Sequence, residues 1–190
     1  LDHNATNPPD PRLTEVYLRA LREGWGNPSS LHAEGRRARG FLEEAREQVA
    51  AACGVPPAQV TFVASGTEAL NQALHSVCPR RGGAPARILA SAVEHSAVGE
   101  ALLGLEAAGR ARSEEIPVDR EGRVDGLALE ALLETEAALV AIMAAQNEVG
   151  TLQPIEAASA ACASAEVPLL VDAIQAFGRV RRDWSGAGWD

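Results

Sequence analysis

Four short groups of polar residues stand where the chain has just left an apolar run: Ser65-Gly66-Thr67, Glu94-His95, Gln146-Asn147-Glu148 and Asp172. Backbone N–H groups at Ser65-Gly66-Thr67, with the Thr67 hydroxyl, can cradle a phosphate at the positive end of a helix dipole; either hydroxyl serves equally as a plain helix cap. Asp172 closes the run Leu169-Leu170-Val171. An ionised carboxylate there is costly unless a cation or hydrogen-bond donors meet it, and its plainer use is to cap the next turn. His95 can stack on a flat ring or shuttle protons, or it can be a structural histidine at a helix start. Asn147 can donate to a ligand oxygen, or it can hold a turn.

The elements that must position these groups are legible from periodicity. Leu13, Val16, Tyr17, Ala20 and Leu21 recur at helical spacing over Arg12 to Glu23, and Gly24 stops them. A loop, residues 24–32, leads to a second helix from about Glu34 to Cys53, ended by Gly54. The pattern then changes to short apolar runs alternating with helical stretches. Strands are predicted over Val60–Ala64, Ile88–Ala90, Ala138–Met143 and Pro168–Val171, with a weak edge strand at Glu114–Val118, where acids and a proline interrupt the run. Helices are predicted from Thr67 to about Val77, Ser96 to Ala108, Leu127 to Leu133 and Ile155 to Ala165. Nearly continuous apolar strands alternating with helices predict an α/β fold, a mostly parallel sheet with helices on both faces. In such a sheet the four polar groups lie together at the carboxyl ends of the strands, where open α/β sheets bind ligands.

Taken together, a helix start for a phosphate, a carboxylate for a ring nitrogen, a flat side chain for a ring face and an amide for a phenolic oxygen are what pyridoxal phosphate requires. One component is missing. All 17 basic residues counted as Lys+Arg are arginines, so no lysine amine is present to form a Schiff base. The rest of the composition narrows the field. The formal charge of −9 disfavours a general grip on nucleic-acid phosphates. No apolar run approaches the ~20 residues of a membrane span, and the first thirty residues lack a basic-then-apolar export signal, so a cytoplasmic protein without a membrane role is expected. Cys53, Cys78 and Cys162 are widely separated and form no Cys-x-x-Cys pair; they are expected to be packing residues, with neither a disulfide framework nor a metal site.

Six segments carry a family resemblance: Leu1-Asp2-His3-Asn4-Ala5-Thr6, Gly26-Asn27-Pro28-Ser29-Ser30-Leu31-His32, Ser65-Gly66-Thr67-Glu68-Ala69, Glu94-His95, Asn147-Glu148-Val149-Gly150 and Val171-Asp172-Ala173-Ile174-Gln175. In this order and spacing the chain resembles the cysteine desulfurases, class V, fold-type I pyridoxal-phosphate enzymes, over essentially its whole length. The resemblance implies that Thr67 and the Gly66 backbone hold the cofactor phosphate. His95 would stack on the ring and relay protons as the catalytic residue of this stretch, Asn147 and Gln175 would meet the phenolic side, and Asp172 would keep the pyridine nitrogen protonated. It implies conversion of L-cysteine to L-alanine, with the sulfur passing to an enzyme cysteine as a persulfide and on to sulfur-acceptor or iron–sulfur scaffold proteins, in a homodimer. Residues 1–11 would form a substrate-side segment and residues 12–190 most of an incomplete large cofactor domain, with the Schiff-base lysine, the persulfide cysteine and a carboxylate-binding arginine lying further on. An uncovered sheet edge in such a piece would favour aggregation or a partner.

The chain departs from the family pattern in two places. It reads Val63-Ala64-Ser65-Gly66-Thr67, where the family often has a Thr-Ser lead-in and a second glycine or an alanine before the threonine. Gln146 stands where the first asparagine of Asn-Asn-Glu is usual. A selenocysteine lyase or another class V enzyme shares the same pocket and is the sibling reading. A reading of another kind is a non-catalytic fold-type I module for interaction or dimerisation, for which the absent lysine is the best argument.

Overall fold

In a computed structural model the described residues are 3, 4, 6–79, 83–181 and 184. They fall into two compact units, the described residues up to 62 with 184, and those from 63 to 181.

The first unit is helical. α1 (Pro11–Glu23) begins where Asp10 accepts a hydrogen bond from the Arg12 N–H and proline occupies the first turn, whose missing donor costs nothing there. α2 (Ala33–Cys53) starts at His32, whose ring accepts from the Gly35 N–H, and ends at Gly54 in the left-handed conformation. The loop between them lies against the first turn of α2. A Cβ on Gly35 would come within 2.4 Å of the Ser30 carbonyl oxygen, and one on Gly26 within 2.5 Å of the Glu34 oxygen. Those glycines let the Asn27–Ser30 turn seat directly on the helix. Most apolar side chains of α1 stay outside: Leu13, Val16, Tyr17 and Leu21 are all more than half exposed.

The second unit holds α3 (Gly66–Ser76), β1 (Ala86–Ser91), α4 (Ser96–Ala107), β2 (Ala111–Ile116), α5 (Gly126–Leu133), β3 (Leu139–Met143), α6 (Ile155–Ser164) and β4 (Leu169–Asp172). Its four strands form a parallel sheet in the order β2-β1-β3-β4. The crossover through α4 moves to one side of β1 and those through α5 and α6 to the other, so right-handed connections place helices on both faces. Ile88, Ala90, Leu139 and Ala141 pack with Leu70, Leu74, Val98 and Leu105 of α3 and α4. Alternation along the strands turns Leu89, Val140 and Ile142 to the opposite face, where they are fully buried, as are Leu129 of α5 and Ile155 of α6.

The edge strand expected near Glu114 runs over Ala111–Ile116, and its four middle residues are exposed as an edge allows. One expectation fails. Val60–Ala64 carries a strand-like sequence but is extended coil, because among the described residues no neighbouring strand pairs with it. Side chains satisfy part of its backbone instead: Arg46 donates to the Val60 carbonyl, and the Ala64 N–H donates to Glu68 Oε2 at 2.8 Å.

Candidate functional site

The sheet order creates a switch point. β1 leaves toward β2 on one side while β3 lies on its other side, so the loops after β1 and β3 part company at the carboxyl edge. The ladder between them ends at Ala90 and Ala141, whereas β1 pairs with β2 as far as Ser91, and β3 pairs with β4 as far as Met143 and Asp172. Asp172 is the last residue of β4 and is buried. Its Oδ1 accepts from the Ile174 N–H at 2.9 Å, and its carbonyl accepts from the Ala144 N–H at 2.8 Å. A cavity of about 380 Å³ opens beside it, bordered by Gly66 and Ala69 of α3 and by Ala173, Ile174 and Phe177. α3 thus brings its N-terminus to Asp172 although no strand leads into it.

At that N-terminus the choice between capping and ligand binding divides between two residues. Ser65 Oγ accepts from the Glu68 N–H at 3.2 Å, while Glu68 reaches back to the Ala64 N–H, a reciprocal arrangement of the capping-box kind. Ser65 therefore caps the helix. Among the described residues nothing engages the Thr67 hydroxyl, which is exposed two residues further on.

His95 begins α4. Its ring Nδ1 accepts from the Ala97 N–H at 3.1 Å, which requires that nitrogen to carry no proton and leaves any ring proton of the neutral form on Nε2. The ring is exposed and borders a separate cleft of about 250 Å³ with Ser91, Glu94, Ser113 and Glu115. Glu94 stands in the sequence only as the first half of the Glu94-His95 pair, with no role of its own assigned to it. A single oxygen, Oε1, accepts from the Ser91 hydroxyl at 2.5 Å and from the Met143 N–H at 2.7 Å. Burial pushes this carboxyl up to about 7; the two hydrogen bonds oppose the rise and the negative charge of Asp172 adds to it. The signal available in the sequence was a carboxylate placed just beyond the buried run Ile88-Leu89-Ala90.

Asn147 and Gln175 are half-buried in the turns after β3 and β4. Arg179 donates to Gln175 Oε1 at 2.5 Å. Gln146, the departure from Asn, makes the turn around Asn147: its Oε1 accepts from the Glu148 and Val149 N–H groups at 2.5 and 2.8 Å. Gln153, not singled out in the sequence, is buried and clamps the loop before α5, accepting from the Val124 N–H and donating to the Gly122 carbonyl. Of the residues singled out in the sequence, the structure therefore brings Gly66 and Asp172 to one cavity. His95 lies in the neighbouring cleft; Thr67 in the first turn of α3, and Asn147 and Gln175 in the turns after β3 and β4, border neither.

The cysteines lie away from these groups in the chain and in chemistry. Cys78 and Cys162 are buried, Cys53 is half-buried, and burial pushes the Cys162 thiol up to about 11, far from a nucleophilic thiolate.

A parallel sheet with its polar residues gathered at the carboxyl edge agrees with the comparison to protein families: residues 1–190 match the class-V aminotransferase model. The chain belongs to that family. Within it, the chain is 39% identical over 179 residues to a NifS/IcsS protein homolog of Lactobacillus delbrueckii subsp. bulgaricus, covering 94% of this chain and 46% of that protein. It is 39% identical over 193 residues to an IscS-like cysteine desulfurase of Mycobacterium tuberculosis, covering 99% and 49% respectively. A solved NifS-like protein superimposes with a TM-score of 0.92 at 36% identity, over 100% of this chain and 52% of that one. The chain spans about half the length of the relatives it matches.

Proposed function

We propose that the protein containing this chain is a pyridoxal-phosphate-dependent cysteine desulfurase. The observation that carries the reading is the cavity that joins the N-terminus of α3 at Gly66 to the buried carboxylate of Asp172, in a chain of the class-V aminotransferase family. The donor set fits the cofactor: a helix start suits a phosphate, and a carboxylate at the end of a buried strand suits a protonated ring nitrogen. Gly66 N–H and the Thr67 hydroxyl would hold the phosphate, His95 the ring face, Asp172 the ring nitrogen, and Asn147 and Gln175 the phenolic oxygen. When bound, the cofactor supplies an electron sink for the α-carbon of an amino-acid substrate. The contribution of Asp172 is to hold a proton on the ring nitrogen, and that of His95 is a ring pinned by its cap with Nε2 left to exchange protons.

Overall, L-cysteine and an enzyme thiol give L-alanine and an enzyme persulfide. One C–S bond breaks, one S–S bond forms, and the thiol proton ends on alanine. The nucleophilic cysteine and the lysine belong to the rest of the protein in this reading, as do a homodimeric state and sulfur-acceptor partners. The test is alanine and sulfide formation from L-cysteine with excess dithiol by the full-length protein. Asp172→Ala is expected to lower kcat roughly 10- to 100-fold, the loss of one charge-assisted hydrogen bond. A full-length protein that yields no alanine, or an Asp172→Ala variant as active as its parent, sinks the reading.

A further inference from the structure

We propose that Glu94 is a positioning residue that sets the separation between His95 and Asp172 by tying the turn after β1 to the end of β3. This proposal rests on the reading of the site given above.

The need for such a tie follows from the topology. Donors alternate along a strand: the Ala144 N–H points to β4, where it bonds Asp172, so the Met143 N–H points the other way, toward β1. There it meets no ladder partner, because the β1–β3 pairing has already ended at Ala90 and Ala141. A backbone donor left unpaired in the interior costs free energy comparable to a lost hydrogen bond. Glu94 Oε1 fills that vacancy at 2.7 Å, and the same atom takes the Ser91 hydroxyl at 2.5 Å. The consequence reaches both proposed cofactor contacts. Glu94 immediately precedes His95 in the chain, and Met143 is the register partner of Asp172. One carboxyl oxygen thus spans the switch point between the ring-face residue and the ring-nitrogen residue.

A glutamine could accept the same two bonds, but a carboxyl also titrates. The groups around Glu94 are Asp172 at the end of β4, Glu114 and Glu115 across the cleft on β2, and His95 beside it. Glu114 is ion-paired with Arg87 at 2.7 Å, so the like charge that Glu94 meets when it loses its proton is chiefly that of Asp172. The charge added on Glu94 favours a cation on the ring nitrogen. The tie is therefore geometric at any pH, with an electrostatic component that appears as Glu94 ionises.

Two measurements separate the tie from the cofactor reading. The first needs no cofactor: amide exchange at Met143 by NMR, expected to be slow in the parent, at least about tenfold faster in Glu94→Ala, and restored in Glu94→Gln. The second is equilibrium binding of pyridoxal phosphate to the full-length protein between pH 6 and 8. Glu94→Ala is expected to weaken it about tenfold at every pH. Glu94→Gln should keep the pH 6 affinity and lose the rise with pH. Met143 exchange unchanged in Glu94→Ala overturns the proposal, as does cofactor affinity unchanged in both variants. If Glu94→Ala does not fold, Glu94→Gln decides, and a pH profile identical to the parent's overturns the proposal. A parent that binds no pyridoxal phosphate, or binds it equally well after Asp172→Ala, defeats the reading of the site and leaves the exchange experiment to judge the tie alone.

Discussion

Glu94 carries an energetic signature that can be read without any ligand. Its carboxyl rises from 4.5 to about 7 on folding, mainly through burial. Between those values the native state holds more protons than the unfolded chain, so stability falls as pH rises and the penalty is complete above about 7. The full shift corresponds to on the order of 3 kcal/mol. Glu94→Gln removes that penalty, so urea unfolding should show the variant gaining on the parent from pH 5 to pH 8 by about 1–3 kcal/mol. A difference between the two that stays constant with pH would refute the assignment. His95 shows why a single residue could not be read from sequence. Stacking, proton transfer and capping all call for a residue at a helix start, and the structure makes the cap with Nδ1 on a side chain that is exposed as a whole.

Among the elements, α3 separates two uses of hydroxyls that the sequence leaves superimposed. Ser65 is the cap and Thr67 is not. Ser65→Ala should cost about 1 kcal/mol in urea unfolding, whereas Thr67→Ala should stay within about 0.5 kcal/mol and show its effect only in phosphate-dependent binding. Equal losses in the two variants would contradict the division. Helix ends were legible because capping is local: Asp10, Gly54 and Asp125 stand at termini that their own residue types favour. Strand pairing is not local. Val60–Ala64 has the composition of a strand, yet pairing needs a neighbour brought from elsewhere in the chain, and among the described residues none is present. The β2 edge went the other way: Ser113, Glu114 and Glu115 argue for exposure, and parallel pairing to β1 holds them in the sheet regardless.

At the level of the molecule, apolar surface remains outside the core. Leu13, Val16, Tyr17 and Leu21 of α1, Trp25 and Leu31 are between 56% and 87% exposed, more than isolated surface leucines require. In the second unit the outer edge of β4 has no partner among the described residues. The chain by itself is expected to self-associate, with a scattering mass that grows with concentration in the micromolar range; a constant monomer mass up to about 100 μM would count against this. The alternation of apolar runs with helical stretches was enough to specify a parallel α/β sheet, because strand burial on both faces and helix amphipathicity are written in local patterns. It also set Glu94, Asn147 and Asp172 at or just past strand ends by chain order alone, whereas Ser65-Gly66-Thr67 follows coil and reaches the carboxyl edge only through the packing of α3. Which of them share a cavity, and that Glu94 rather than a ladder partner satisfies Met143, depended on the order β2-β1-β3-β4. Strand order is a choice among distant pairings, and only the packed chain makes it.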